Sequence, residues 1–192
     1  LRYSKFDFNI ENVGKKNLIT FAYVSKFETY SDYSHKFTKQ LNDIMEVLSS
    51  IKNTKVIFKI HPRKNSEKFL SILKKYDKEK WILSKTHLSK LASVSKAVLC
   101  HPNSAAGLDG LSQKIPVIQI WPIKDIESSC DTQKKMGFVK SAMNKKDLKK
   151  YLLLSIKNPK SRTWIKQRIN FNKYFPYQNY YTSISKKIIS KI

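Results

Sequence analysis

Short apolar runs that alternate with stretches of helical periodicity are the feature that most constrains how this chain can fold. There are five such runs, three to eight residues long, and β-branched and aromatic residues are frequent in them. They predict strands over residues 17–24, 55–60, 81–83, 97–100 and 116–120. Five strands alternating with helices predict a parallel sheet with right-handed crossovers and flanking helices, an α/β Rossmann-like domain.

The segments between and after these runs predict helices, because their apolar residues recur at intervals of three and four. Phe37, Leu41, Ile44 and Leu48 mark the first helix, and Ser66 is a candidate N-cap for the second. The predicted helices cover about 31–51, 69–76, 88–94 and 104–113, then stretches around 148–155, 160–174 and 179–192. We therefore expect two parts, a Rossmann-like domain over 1–143 and C-terminal helices over 144–192 that pack on or beside it.

The charge of the chain is strongly positive, with 38 Lys and Arg against 14 Asp and Glu, a net charge of +24. Such a surplus attracts anionic substrates, anionic membrane surfaces and nucleic acid. No RGG tract, RNP signature or basic zipper is present, so nucleic acid is the less favoured partner. The charge keeps an anionic membrane surface as a candidate partner.

Several classes of protein are excluded or disfavoured by what the sequence lacks. No apolar run approaches the ~18 residues of a membrane-spanning helix. Cys100 and Cys130 form no C-x-x-C pair, which favours a reducing, cytoplasmic compartment over a zinc or redox motif. Because the chain begins with Leu1 rather than Met, we expect it to be a piece of a longer protein.

Candidate functional residues follow two of the predicted strands. His61, Pro62 and Arg63 come after the second strand, and His101 begins the segment that follows the fourth. That segment continues with Pro102, Asn103, Ser104 and Ala105. Ligands of doubly wound sheets bind at the carboxyl ends of the strands, so both segments are expected on one rim.

The turn after the fourth strand is suited to an anion. Its small residues, 103–107, would direct backbone N–H groups outward at a helix start, and Ser104 could donate its hydroxyl to a phosphate. Asp109 could accept from the hydroxyls of a ribose. The alternatives are an ordinary serine cap with close packing by Ala and Gly, and a surface carboxylate. Because two strand ends contribute, phosphate binding is the favoured interpretation.

Familiar catalytic and cofactor motifs are absent. The sequence contains no G-x-G-x-x-G, no P-loop, no G-x-S-x-G and no strict D-x-D, to which Asp125-Ile126-Glu127 is nearest. The four histidines, at 35, 61, 87 and 101, have no metal-ligand spacing. We expect neither a required metal nor a bound cofactor.

These segments, taken in order, resemble the C-terminal, donor-binding half of bacterial GT-B glycosyltransferases. The resemblance is greatest to the capsule polysaccharide family of β-Kdo transferases, with its HP, NS-x-x-GLEAL and GKPV pattern. Bacterial sialyltransferases and teichoic-acid glycerophosphotransferases share this layout. The matching segments are 59–62, 97–100, 103–111 and 114–118, within a region of about 55–121. Ala105-Ala106, Asp109 and Gln113 depart from the usual β-branched, Glu and Gly residues.

The resemblance implies a role for each matching residue. His61 would contact the phosphate of a cytidine-type donor, and Pro62 would shape its turn. Ser104 and the amides after it would hold the same phosphate, and Asp109 would bind the ribose. The donor-binding set is His61, Pro62, Arg63, Asn103, Ser104, Ala105 and Asp109. The general base of such enzymes belongs to an N-terminal, acceptor-side domain, so the catalytic residue stays unknown here.

The function that the resemblance implies is binding of a CMP- or CDP-linked sugar in a metal-independent glycosyltransferase. The enzyme would modify a glycan or glycolipid during bacterial surface polysaccharide, capsule or lipooligosaccharide synthesis, in the cytoplasm or on the inner membrane face. The alternatives are a UDP-sugar 2-epimerase-like enzyme and a non-enzymatic basic module that binds nucleic acid or anionic lipid. Candidate membrane contacts are Lys145, Lys146, Lys149, Lys150, Lys186, Lys187 and Lys191.

Overall fold

A six-stranded parallel sheet organises the protein. The computed structural model describes residues 17–23, 34–59, 67–102, 104–122 and 131–176 of the chain, and everything below concerns these. All five strand pairings are parallel. The strands are β1 (Asn17–Ala22), β2 (Thr54–Lys59), β3 (Trp81–Ser84), β4 (Ala97–Cys100), β5 (Val117–Gln119) and β6 (Lys140–Ser141). The prediction of an α/β Rossmann-like parallel sheet is confirmed.

The strand order is β3-β2-β1-β4-β5-β6, so the direction of winding reverses between β1 and β4. β1 lies at the centre, with Ala22 in register with Lys59 on one side and Cys100 on the other. The carboxyl ends of β2 and β4 therefore lie on either side of β1. A reversal of this kind opens a crevice at the carboxyl ends of the strands, where ligands bind in such sheets.

Helices connect the strands at nearly all the predicted places. They are α1 (Ser34–Ser49), α2 (Glu67–Leu73), α3 (Leu88–Ser93), α4 (Ala106–Ser112), α5 (Thr132–Lys135), α6 (Lys145–Lys157) and α7 (Arg162–Tyr174), with a short 3₁₀ turn at Lys78–Lys80. The predicted helices are thus confirmed up to residue 174. The cap at Ser66 and the terminal helix over 179–192 fall outside the described residues.

β6 and α5 were not predicted from the sequence. β6 has only two residues, Lys140 and Ser141, and neither is buried, so it lacks the apolar run of the other strands. It joins the sheet through its pairing with Ile118 and Gln119 of β5. α5 is a single turn, begun by Asp131, whose carboxylate accepts a hydrogen bond from the Lys134 N–H at 3.1 Å.

The last two helices pack onto the sheet. Leu148 and Leu152 of α6 and Trp164 of α7 are buried in one apolar cluster with Ile19 of β1 and Leu99 of β4. Helices thereby cover strands that are buried on both faces, which is why those strands are continuous apolar runs. The helices beyond residue 143 thus share a core with the strands before it. The division of the chain at that residue stays a prediction.

Candidate functional site

Buried aromatic rings lie at the carboxyl ends of β1 and β4, beside the strand reversal, and this cluster is called the floor of the crevice. Tyr23 directly follows β1, His101 directly follows β4, and their ring centroids are 5.3 Å apart. Tyr23 also stacks on Phe69 of α2 at 4.8 Å. Both residues are buried, and burial raises the pKa of the Tyr23 hydroxyl. His101 therefore supports the floor of the crevice rather than standing in solvent.

Ser104 lies three residues after His101, at the start of the segment that leads into α4. Its N–H donates to the His101 carbonyl at 3.2 Å, and its Oγ accepts from the Ala106 N–H at 3.3 Å. The Ser104 hydroxyl thus accepts from the first residue of α4, and among the described residues its own proton has no acceptor. The cap and the phosphate donor, posed as alternatives from the sequence, are compatible in this geometry.

Most backbone amides of this segment are bonded internally, whereas the sequence predicts that several face outward. The N–H groups of Ser104, Ala106, Gly107 and Leu108 all donate within the segment. The N–H of exposed Ala105 has no acceptor in the part of the chain that the structure describes. Among the described residues, the donors of this segment that have no acceptor are therefore the Ser104 hydroxyl and the Ala105 amide.

Close packing behind α4 sets the position of this segment. A Cβ on Gly107 would lie 2.7 Å from Gln133 Oε1, so only glycine fits there without displacement. Gln133 is buried, and its Nε2 donates to the Ser104 carbonyl at 3.0 Å. Gln133 was missed by the sequence analysis, because it is 29 residues away and belongs to an unpredicted turn.

Asp109 lies in the first turn of α4 and is half-buried. Its Oδ1 accepts from the Ser89 hydroxyl of α3 at 3.4 Å. The Ser89 N–H in turn donates to Nδ1 of His87, the N-cap of α3, at 3.3 Å. This contact links Asp109 to the first turn of α3, and within the described ranges its Oδ2 has no hydrogen-bond partner.

Other predicted residues fall outside the described part of the chain. These are His61, Pro62, Arg63, Asn103, Asp125, Glu127 and Cys130. The structure does describe Lys59, the last residue of β2, whose ammonium donates to the Lys85 carbonyl at 3.4 Å. Burial lowers the pKa of Lys59, which stands at the strand end that leads to His61. A partly buried cation is thus present at the same edge as Ser104 and Asp109.

Cys100 is the last residue of β4, but its thiol is not a candidate nucleophile. It is fully buried. Burial, with a smaller contribution from the charge of Asp131, raises the pKa of its thiol to about 12. The reactive form of cysteine is the thiolate, which is negligible at neutral pH with such a pKa.

The described ranges contain no group of three or more His, Cys, Asp or Glu side chains able to hold a metal ion. They also contain no helix that is both long and apolar enough to cross a bilayer. The independence from metal expected from the missing D-x-D stays a prediction.

Comparison with known proteins gives matches in structure and none in sequence. No family model matches the chain. No curated protein matches it either.

Three solved structures illustrate the likeness. The putative UDP-N-acetylglucosamine 2-epimerase from Listeria monocytogenes has a TM-score of 0.57 at 15% identity, over 90% of this chain and 47% of the epimerase. The spinosyn rhamnosyltransferase SpnG complexed with thymidine diphosphate has a TM-score of 0.57 at 8% identity, over 83% of this chain and 42% of the rhamnosyltransferase. The C-terminal CMP-Kdo binding domain of WaaA from Acinetobacter baumannii has a TM-score of 0.55 at 12% identity, over 84% of this chain and 90% of that domain.

These likenesses show the fold. The chain spans about half the length of the epimerase and of the rhamnosyltransferase, and nearly all of the isolated CMP-Kdo binding domain. It has the Rossmann-like fold that forms half of a GT-B enzyme.

Proposed function

We propose that this chain is the nucleotide-sugar-binding part of a GT-B glycosyltransferase. The observation that carries the proposal is the set of polar groups at the carboxyl edge of the sheet. The Ser104 hydroxyl, the Ala105 amide and the Asp109 carboxylate come from one segment beside the strand reversal. Structural likeness to a rhamnosyltransferase and to a CMP-Kdo binding domain supports it.

In this proposal, the described residues bind the parts of a donor that all nucleotide-sugars share. Ser104 and the Ala105 amide donate to phosphate oxygens, and Asp109 accepts from the ribose hydroxyls. His61, Pro62, Arg63 and Asn103 would complete the site. When the sugar is transferred, the nucleotide leaves as an anion, and donors already aimed at its phosphate stabilise the developing charge. The general base would come from an acceptor-side domain.

The donor that we propose is CMP- or CDP-linked, and the pathway is bacterial surface polysaccharide, capsule or lipooligosaccharide synthesis. This choice of donor and pathway rests on the His61-Pro62 and Asn103-Ser104 segments and on likeness to the CMP-Kdo binding domain. The second candidate is a UDP-sugar 2-epimerase-like enzyme, which likeness to the Listeria protein favours. Calorimetric titration with CMP, CDP and UDP separates them, because the first proposal expects cytidine nucleotides to bind more tightly and the second expects UDP. If none binds, the chain is a basic module without this site.

The site itself is tested with His61→Ala and Ser104→Ala. Each should remove most CMP affinity without lowering the thermal unfolding midpoint. The matched controls are Ser50→Ala after α1 and Ser93→Ala on α3, which are exposed residues at the C-terminal ends of their helices, at the opposite edge of the sheet. CMP affinity that is equal in the site variants, the controls and wild type would refute these assignments.

The remaining parts of the proposal concern metal and membrane. CMP binding should be unchanged by a chelator, and an absolute requirement for Mg²⁺ or Mn²⁺ would contradict this part of the proposal.

Weak adhesion to the inner membrane face would depend on exposed Lys146, Lys149 and Lys150 of α6. Lys145, first grouped with them, instead contacts Asp43 at 3.4 Å and Glu46 at 3.0 Å. Adhesion should disappear at 1 M salt, where the Debye length is about 3 Å.

A further inference from the structure

An open groove of about 580 Å³ lies between β6 and α7. Its lining includes four exposed cations, which come from α5, β6 and α7, and among the described residues that line it there is no carboxylate. The neutral polar side chains of Ser141 and Thr163 also line it. The four cations are Lys134, Lys140, Arg162 and Lys166.

Few acidic residues accompany the positive charge of this groove in the described part of the chain. Residues 131–176 contain 13 Lys and Arg and only 2 acidic residues, an excess of 11 positive charges. Both acidic residues have structural roles. Asp131 is buried and accepts from Gln119 Nε2 at 3.3 Å, and Asp147 accepts from the Met143 N–H at 3.1 Å. Within the described ranges, none of the four groove cations forms an ion pair.

Hydrogen bonds to the sheet hold the walls of the groove in place. Buried Gln167 of α7 accepts from the Val117 N–H at 3.0 Å and donates to the Val117 carbonyl at 2.7 Å. Asn170 Nδ2 donates to the Gly137 carbonyl at 2.9 Å, and Gly137 has a φ of +73°. These contacts hold α7 against the start of β5 and the turn before β6. None of the residues assigned to the nucleotide site lines the groove.

We propose that this groove is a second anion site, which binds a ligand bearing phosphate groups. Its volume is in the range of small-molecule sites, and its concave form suits a discrete ligand better than a flat surface. Arg162 can engage two phosphate oxygens at once, and the lysines add point charges around them. The phosphates could belong to a soluble compound or to a phospholipid headgroup, and the two sources are separated by experiment.

The first test uses inorganic pyrophosphate in calorimetric titrations at low salt. The groove variant is Lys140→Gln, Arg162→Gln and Lys166→Gln combined. The matched control is Lys74→Gln, Lys75→Gln and Lys78→Gln, which removes the same charge from exposed positions outside the groove. Because three charge-assisted contacts are removed together, the groove variant should bind at least about tenfold more weakly than wild type. The control should stay within about threefold.

Three results would overturn the proposal. One is no binding by wild type, and another is equal weakening in the two triple variants, which would assign the attraction to diffuse charge. The third is loss of binding in Ser104→Ala with full binding in the groove variant, which would assign pyrophosphate to the nucleotide site. Unchanged circular dichroism verifies that each variant is folded.

The source of the phosphates is then determined with vesicles of phosphatidylglycerol, with phosphatidylcholine vesicles as the neutral reference. Flotation with anionic vesicles that is lost in the groove variant and kept in the control supports a lipid headgroup. Pyrophosphate binding without flotation supports a soluble phosphate compound. Flotation that is equal in the groove variant, the control and wild type overturns a role for the groove in lipid binding.

Discussion

Replacing Gln167 by Met should destabilise the protein, because this side chain links α7 to β5 through buried hydrogen bonds. Gln167 is 2% exposed and Val117 is fully buried. The substitution leaves the Val117 N–H, which was bonded at 3.0 Å, without its partner. It also removes the donor at 2.7 Å from the Val117 C=O, which keeps its place in the ladder with β6. A buried polar group that loses its partner costs about 1 to 3 kcal/mol. The expected loss is therefore about 1 to 3 kcal/mol, out of a total of roughly 5 to 15 kcal/mol for a domain.

Urea denaturation at 25 °C, followed by circular dichroism, measures this loss. The matched control is Gln113→Met, at an exposed position after α4, which should change the free energy of unfolding by less than about 0.5 kcal/mol. Met is unbranched and fills the space of Gln, so the comparison isolates the polar contacts. A loss below about 1 kcal/mol for Gln167→Met, at an unchanged m-value, would show that α7 is not held in this way.

Three further results are expected. Gly110→Ala should lower the thermal midpoint, because the added Cβ would lie 2.8 Å from Val117 Cγ2 and 3.1 Å from Val98 Cβ. Overpacking costs about 1 to 3 kcal/mol, which exceeds the gain in helix propensity of about 1 kcal/mol. A higher midpoint would contradict the packing. Cys100 should resist iodoacetamide at pH 9 in the native state and react in urea, as peptide mapping would reveal. Its pKa is raised from 9.0 to about 12, so its contribution to stability is full below pH 9 and falls as the pH rises towards 12. Ser104→Ala should weaken the binding of CMP and of UDP by the same factor, about tenfold, because a charge-assisted hydrogen bond to phosphate does not depend on the base. A change in the ratio of CMP affinity to UDP affinity would refute this.

The strands were predictable because burial on both faces leaves a local mark. Strands such as β4, whose four residues are all buried, are continuous apolar runs between helical segments. β6 has no such mark, since Lys140 is exposed and Ser141 half-buried. It is held in the sheet by the preceding turn and by pairing with β5, neither of which is encoded within its own two residues.

The candidate site was predictable to the extent that it depends on strand ends. Ser104 and Asp109 follow β4 at short range, so topology alone placed them at the carboxyl edge. Gln133 and Ser89, which contact them, lie 29 and 20 residues away in the sequence. Contacts of that kind depend on how helices pack and have no local signal. The ion pairs of Lys145 have no local signal for the same reason, because Asp43 and Glu46 approach it from α1.

Asp109 offers the sharpest distinction between a binding role and a packing role. If its carboxylate accepts from the ribose, wild type should prefer CMP to 2′-deoxy-CMP, and Asp109→Ala should lower CMP affinity while abolishing that preference. If Asp109 serves only to hold Ser89 of α3, to which it is bonded at 3.4 Å, then Ser89→Ala should reproduce every effect of Asp109→Ala. We expect Ser89→Ala to keep the preference for CMP, since the long contact to Asp109 contributes little and the carboxylate stays in place. A preference that survives in Asp109→Ala would show that the ribose is bound elsewhere, because the coupling between the carboxylate and the 2′-hydroxyl would then be zero.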